Sequence, residues 1–306
     1  MTQSTLAPVV LFVYGRPLHT QRTIDALLLN PEASSTDLIV YSDHAKNDSH
    51  IDKICKVREI INNTIGFKSI TLIKRKTNYG LAKNIIEGIT ETLKSHDKVI
   101  VLEDDLEVSD TFLRFMNDSL IFYENHDDII SISGFSYPIE MPLDYPYDFY
   151  FLRIPLCWGW ATWKQKWKLF NKDLAIINSI NQKEINYINF DGSNNFYSQA
   201  IYNYEGKLNT WFIYWYISSV INKKLSVFPI KSLVSNIGHD GTGENCSNDS
   251  RHNSLSYSFH VNIEKTKISE NSDIVKNHKL YFKSLKLPFR KRLINKIKRM
   301  SNEIFR

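Results

Sequence analysis

Residues 97 to 105 read Asp-Lys-Val-Ile-Val-Leu-Glu-Asp-Asp, an unbroken apolar run from Val99 to Leu102 that ends in three adjacent carboxylates. A run without polar alternation is what a strand covered on both faces requires, the condition of strands in a parallel sheet. Glu103, Asp104 and Asp105 then fall at its carboxyl end, the edge at which open α/β sheets bind ligands. Three neighbouring acids repel one another, and burying them is costly unless a cation sits among them. Hard oxygen ligands suit Mg2+ or Mn2+, ions that keep some waters and take the rest of their shell from substrate phosphates. The stretch therefore predicts a metal and diphosphate site. The competing reading leaves Asp104 and Asp105 solvated, as caps for a helix starting near Asp110.

The order of elements before this strand narrows the choice. Pro8 to Tyr14 is an apolar strand, Thr20 to Leu29 a helical pattern, Asp37 to Tyr41 a second strand and Ile51 to Ile65 a second helix. Ser69 to Ile73, Leu81 to Leu93 and Lys98 to Leu102 continue the alternation as strand, helix and strand. Strands alternating with helices of this length imply βαβ units and a mostly parallel central sheet flanked by helices, an α/β fold of Rossmann-like type. Beyond Asp110 come a helix from Thr111 to Tyr123 and strands at Ile129 to Ser133 and Phe149 to Ile154. Trp160, Trp163 and Trp167 share a helical spacing and predict a buried helix face. Trp158 and Gly159 precede that helix, where a loop glycine permits close approach and an indole can stack on a sugar ring. Trp211 and Trp215, four apart, predict a second packed helix.

Several motifs carry a family resemblance: Val13-Tyr14-Gly15-Arg16-Pro17, Ser42-Asp43, Asn78-Tyr79-Gly80-Leu81-Ala82-Lys83-Asn84 and Glu103-Asp104-Asp105-Leu106-Glu107-Val108-Ser109. Trp158-Gly159-Trp160-Ala161-Thr162-Trp163 and Asn236-Ile237-Gly238-His239-Asp240-Gly241-Thr242-Gly243 complete the set. In these the chain resembles nucleotide-sugar glycosyltransferases of the GT-A fold, in particular bacterial sugar transferases related to the N-acetylglucosaminyltransferase I type, over roughly residues 8 to 245. The resemblance implies a GT-A domain over 1–245, with a donor half at 8–110 and an acceptor half at 111–245. It also implies a nucleotide-diphosphate donor, a UDP-sugar by preference, and a saccharide or lipid-linked saccharide acceptor in a bacterial lipopolysaccharide or capsule.

Each motif also has its own chemistry. Arg16 follows a buried strand, so its planar cationic fork suits a diphosphate or a carboxylate of the acidic loop. Asp43 ends a strand and can cap a turn, while an acid at this place in the resembling family touches the base or ribose. Asn78 to Gly80 make a tight turn before a helix N-terminus, a natural anion site that Lys83 could reach. Asp105 is the expected metal ligand, with Glu103 and Asp104 on the nucleotide side. An inverting transferase needs a carboxylate base. The resembling family has an Asp after the Trp at the position of Trp211, but here Phe212 follows, which leaves open both the identity of the base and whether the outcome is inverting or retaining. Asp240, among the glycines at 238, 241 and 243, is the first candidate, and Glu205, before a loop glycine, the second. His239 could be a metal ligand or donate to the diphosphate. A noncatalytic nucleotide-sugar or glycan-binding protein of the same fold is the alternative. A nucleotidyl- or phosphotransferase would need a triphosphate site, and no Gly-x-x-x-x-Gly-Lys loop occurs.

The remaining expectations come from composition. The 306 residues, 42% of them hydrophobic, suit an ordinary globular protein. Pro8 to Tyr14 is too short to span a membrane and no secretory leader pattern precedes it, which predicts a cytoplasmic protein. Cys55, Cys157 and Cys246 are odd in number and widely spaced, giving neither a disulfide nor a zinc pattern. Residues 279 to 306 hold ten Lys or Arg and one Glu, +9 against a whole-chain charge of +5, so the residues before them carry about −4. Phe289, Leu293, Ile297 and Met300 recur there at helical spacing, predicting within a 246–306 extension a basic amphipathic helix for an anionic membrane surface. Without a recognised module this cluster does not predict a nucleic-acid partner.

Overall fold

The structure, a computed structural model, describes residues 6–173, 175–240 and 255–286. It is a mixed α/β fold around an eight-stranded, mostly parallel sheet. Strands β1 (Val9–Val13), β2 (Asp37–Ser42), β3 (Ser69–Lys74) and β4 (Lys98–Glu103) are all parallel, in the spatial order β3-β2-β1-β4. The intervening helices are α1 (Pro17–Leu28), α2 (Ile51–Asn63) and α3 (Leu81–Ser95). Each expected element of this half is present, within a few residues at its ends. Every residue of β1 is buried, and alternate residues face two cores. Val9, Leu11 and Val13 join one cluster, and Val10 and Phe12 the other. Each such side chain contributes about 1.5–3 kcal/mol on burial, which is why so apolar a strand sits inside the sheet rather than at its edge.

The second half extends the same sheet. After the short strand β5 (Leu106–Val108) come α4 (Phe112–Phe122), β6 (Ile129–Ser133), β7 (Phe149–Leu152) and β8 (Trp160–Trp163). Strand β8 is inserted antiparallel between β4 and β6. This corrects the helix expected through Trp160 and Trp163. In a strand, residues three apart face opposite sides, and the two indoles indeed join different cores. Only α5 (Lys164–Trp167) is helical there. Trp160 stacks on Trp211 at 5.4 Å and lies 6.0 Å from Trp215, so the spacing that read as one helix face records an aromatic cluster built from a strand and two helices. Trp158 and Gly159 accordingly lead into a strand.

Three short helices follow, α6 (Ala175–Asn178), α7 (Gln182–Ile188) and α8 (Tyr197–Tyr204), then α9 (Phe212–Ile221), β9 (Leu225–Pro229) and β10 (Val234–Asn236). Strand β9 runs between β6 and β7, while β10 pairs antiparallel with β5 as a separate two-stranded ladder. Helix α10 (Ser272–Leu285) opens with Asn271 capping the Asp273 and Ile274 N–H groups. It contributes Ile274, Val275 and Phe282 to the larger core.

The boundary expected at 245 is therefore not a boundary in packing. Residues 255–286 fold back onto the sheet domain, with Ser256 N–H donating to the Ser232 carbonyl and the Thr111 hydroxyl to the Phe259 carbonyl. The buried Arg153 guanidinium clamps Glu270 through Nε at 2.8 Å and a second nitrogen at 2.6 Å. Tyr187 adds a hydroxyl to the same carboxylate at 3.2 Å. Residues 287–306, which hold most of the expected amphipathic helix, lie outside the described residues. No described helix is long and apolar enough to cross a membrane.

Removing one partner of a buried pair strands the other charge, so Glu270→Ala should cost about 3–5 kcal/mol in urea denaturation. The double replacement Arg153→Met with Glu270→Leu should cost less. A single-mutant loss below about 1 kcal/mol, the value typical of surface pairs, would mean that the clamp does not hold this segment down.

Candidate functional site

Parallel strands place their carboxyl ends along one edge, and here those ends are stitched together in order. Asp43 N–H donates to the Val13 carbonyl at 3.2 Å, and Tyr14 N–H donates to Asp104 Oδ2 at 3.1 Å. The Asp104 carbonyl accepts from the Thr23 hydroxyl of α1 at 3.0 Å, so the acidic turn is tied to both the strand and the helix beside it. Beyond the turn, Asp105 accepts Ile237 N–H on its backbone oxygen at 2.9 Å, continuing the β5–β10 ladder. That brings the Asn236 to Asp240 segment onto the acidic strand end.

Arg16, just before α1, joins these pieces. Its Nη1 donates to Asp105 Oδ2 at 2.9 Å, while Nη2 reaches His19 Nε2 at 3.1 Å, Asp240 Oδ1 at 3.3 Å and the Gly238 carbonyl at 3.4 Å. His19 Nε2 also stands 3.1 Å from Asp240 Oδ2. The approach is close: a Cβ on Gly238 would sit 2.1 Å from Asp105 Oδ2, so any side chain there would displace the carboxylate. The Trp158 ring lies edge-on to His239 at 5.5 Å and to Phe135 at 4.7 Å. Gly159 holds φ +60, and a Cβ there would meet Val234 at 2.7 Å, so the turn presenting Trp158 requires glycine on both counts.

Burial dominates the electrostatics. It pushes the Glu103 carboxyl up to about 8, with the neighbouring Asp105 and Asp104 charges adding to the effect. Asp104 rises to about 7 for the same two reasons, burial first and then Asp105, against the opposing Tyr14 N–H and Arg16. Asp105 is also raised by burial although Arg16 pulls the other way. The Cys157 thiol is driven well above its ordinary range by burial and by Glu103 beside it. Asp104 is buried on the Tyr14 N–H, Asp105 is paired with Arg16, and Thr111 is the N-cap of α4, so neither acid is a solvated cap of that helix.

A second group lies at the ends of β2 and β3. The buried Asp43 carboxylate accepts Tyr79 N–H at 2.8 Å, Gly80 N–H at 2.9 Å, His44 N–H at 2.8 Å and the Asn78 amide at 3.2 Å. Gly80, with φ +70, precedes α3. Asp43 thus braces the turn that leads into α3, the turn-capping role, and takes no N–H group of the helix's own first turn. Lys83 stands over the Tyr79 ring at 4.3 Å and pairs with Glu87 at 3.7 Å. Arg75 is buried against the Tyr41 and Tyr79 rings, each at 4.7 Å.

The structure therefore gathers Tyr14, Arg16, Asp104, Asp105, Trp158, His239 and Asp240 at one end of β1 and β4, with Asp43, Asn78 and Gly80 beside them. Glu205 is exposed at the end of α8 and paired with Lys207 at 2.7 Å, and no contact among the described residues joins it to this group. Phe212 begins α9 and packs near Trp211 and Tyr216, supplying no acid. His239 and Asp105 do not assemble a protein-only metal cage: no group of three or more His, Cys, Asp or Glu among the described residues is placed to hold an ion. Gly241 and Gly243 lie outside the described residues. Sequence reasoning missed His19 and Arg58, which donates to the Ser42 hydroxyl at 2.9 Å and the Asp43 carbonyl at 3.2 Å. A signal existed for His19, three residues after Arg16 on the first turn of the same helix.

No family model and no curated protein matches the sequence. Among solved structures, the chain is similar to Staphylococcus aureus TarS residues 1–349, at TM-score 0.40 and 11% identity over 76% of this chain and 61% of that one. It resembles a longer TarS structure at TM-score 0.38 and 10% identity, over 76% of this chain and 37% of that one. A UDP-glucose pyrophosphorylase complexed with UDP-glucose gives TM-score 0.38 and 11% identity, over 76% and 94%.

Carboxyls raised by folding hold protons that the unfolded chain, with ordinary values near about 4, has already lost. Their contribution to stability is complete below that range and disappears as pH rises through about 7 for Asp104 and about 8 for Glu103. In metal-free buffer the melting temperature should fall from about pH 5.5 to about pH 8.5, and Asp104→Asn should flatten the fall. A variant that follows the wild-type profile would contradict the burial of this charge.

Proposed function

We propose that the chain is a glycosyltransferase that moves a hexosyl or N-acetylhexosaminyl group from a nucleoside-diphosphate sugar, a UDP-sugar by preference, to a saccharide acceptor. The observation that carries this reading is the meeting of one half-buried guanidinium, Arg16, with three acids at the carboxyl end of buried β4. Arg16 stands at the start of α1, so its fork and the helix N-terminus present positive charge at the same point, the combination that receives a diphosphate. Trp158, on a glycine-shaped turn beside it, offers an indole to the sugar.

A divalent ion fits this donor set. The acids offer hard oxygens, and a bound cation would take the place of the protons that burial keeps on Glu103 and Asp104 and complete its shell from water and phosphate. Asp105 would hold it, with Glu103 and Asp104 contributing charge and His239 at the rim. When bound, Mn2+ or Mg2+ supplies charge compensation for the departing diphosphate. The rest belongs to the chain. Arg16 orients the diphosphate, and Asp240 takes the proton of the acceptor hydroxyl as its oxygen bonds the anomeric carbon and the bond to the nucleoside diphosphate breaks.

A bacterial surface glycan as acceptor rests on the family resemblance, and a peripheral place at an anionic membrane on the basic residues 279–306. The noncatalytic reading has one specific motive, Phe212 in the position of the family acid.

Calorimetry with UDP, GDP and their sugars, with and without Mn2+, separates these readings: uridine-selective binding strengthened by Mn2+ is expected. Asp105→Ala should lower transfer on the order of a thousandfold, since metal ligation accounts for several kcal/mol in the transition state. Asp240→Asn should abolish turnover without weakening UDP binding. Full UDP binding with no transfer to any acceptor would favour the binding protein, and normal transfer by Asp105→Ala would defeat the metal assignment.

A further inference from the structure

We propose that Arg16 is an anion-operated latch on the Ile237 to Asp240 segment, and that His19 is the positioning residue that keeps Asp240 in place when the latch opens. The inference rests on the reading that a diphosphate binds at Arg16. In the free protein one guanidinium spans two separate pieces of chain. Nη1 holds the acidic strand end through Asp105 at 2.9 Å, and Nη2 holds the segment after β10 through Asp240 at 3.3 Å and the Gly238 carbonyl at 3.4 Å. Charge-assisted N–H···O bonds are strongest at about 2.7–2.9 Å, so the contact to Asp105 is at full strength and the two to the segment are stretched. Asp240 is also 41% exposed, against 15% for Asp105, which screens its share further. An incoming phosphate oxygen that takes Nη2 displaces the weaker side first and leaves Nη1 on Asp105.

With its hydrogen on Nε2, His19 donates to Asp240 Oδ2 at 3.1 Å, the oxygen that Arg16 does not hold, and its 3.1 Å approach to Arg16 Nη2 is then a contact between two donors and no hydrogen bond, so the carboxylate stays with His19 when the guanidinium turns away. His19 is carried on the first turn of α1, which is anchored through Thr23 to Asp104, so it stays with the site while the guanidinium turns to its ligand. Oδ1 and Oδ2 of Asp240 thus each face a residue with a different fate. Arg16 lets go on anion binding, and His19 remains. The consequence is an ordered site: Asp240 exchanges its arginine partner for solvent or acceptor only after the diphosphate has arrived.

Hydrogen exchange of a peptide covering 237–240 tests this with two probes, UDP and inorganic pyrophosphate. Either probe should accelerate exchange there in the wild type, and His19→Ala should enlarge the acceleration, whereas His19→Gln, which can still donate to Asp240, should restore it towards the wild-type value. Asp240→Asn, which weakens the competing contact, should bind pyrophosphate on the order of two- to fivefold more tightly, the scale of a part-exposed ion pair. Trp158, packed on His239, offers a second readout in its emission, with Trp158→Phe as the control. Saturable UDP binding with unchanged or slowed exchange at 237–240 would overturn the latch and leave the nucleotide-sugar reading standing. Absence of binding by both probes would remove that reading and the latch together. Equal acceleration in wild type and His19→Ala would overturn the role of His19 alone.

Discussion

Burying β4 is the constraint on which the rest of this architecture depends. The strand lies parallel to β1 on one side and antiparallel to β8 on the other, so it joins the two halves of the sheet. Its residues Val99 to Leu102 have no access to solvent worth counting, and the next three positions are acids. A chain that buries a strand up to its last residue must either solvate the acids beyond it or compensate their charge. Here the turn is closed over by α1, by the end of β1 and by the segment after β10, and the compensation falls to Tyr14 N–H and Arg16. The raised carboxyls record how incomplete that compensation is. Carboxyls that must keep their protons to stay buried are a poor way to stabilise a fold at neutral pH, and strongly shifted groups of this kind cluster at functional sites.

The half of the chain built from βαβ units was legible because its signals are local. Continuous apolar runs of five or six residues and helical patterns of twelve or more give type and order, and the parallel pairing follows from their alternation. Strand β8 was not legible. Trp160, Trp163 and Trp167 satisfy a helical period, and periodicity cannot distinguish one helix face from a strand whose two indoles enter separate cores above and below a sheet. Strand β5, three residues long, is specified by its partner β10 more than a hundred residues away, and no local pattern announces it. The same holds for α10. No local pattern assigns it, and its Ile274 and Phe282 belong to the core that also holds Tyr150 of β7 and Ile188 of α7. Long-range burial overrides the local signal in each case.

Site residues divide along the same line. Asp104, Asp105 and Arg16 could be named from the sequence because each ends a strand or starts a helix at the ligand edge. Their partners could not. That Gly238 approaches Asp105 closely enough to forbid a Cβ, or that His19 and Arg16 share Asp240, depends on the β5–β10 ladder setting the height of the later segment. Glu205 is a candidate by chemistry alone, an acid near a glycine, and nothing in its neighbourhood reports where α8 lies.

The division of the sheet edge into two compartments is the last consequence. Helix N-termini are natural anion sites, and this edge offers two in close succession, those of α1 and α3. At the second, Asp43 takes the N–H groups of Tyr79 and Gly80, just before the helix, and is backed by Arg58 through its carbonyl, which braces the turn at 78–80 without capping the first turn of α3. At the start of α1 the side chain nearest the helix end is a guanidinium, and the carboxylates of Asp105 and Asp240 meet that side chain. The two helix ends are thus approached by carboxylates of the chain in different ways, one through backbone N–H groups and the other through an arginine that can change partners.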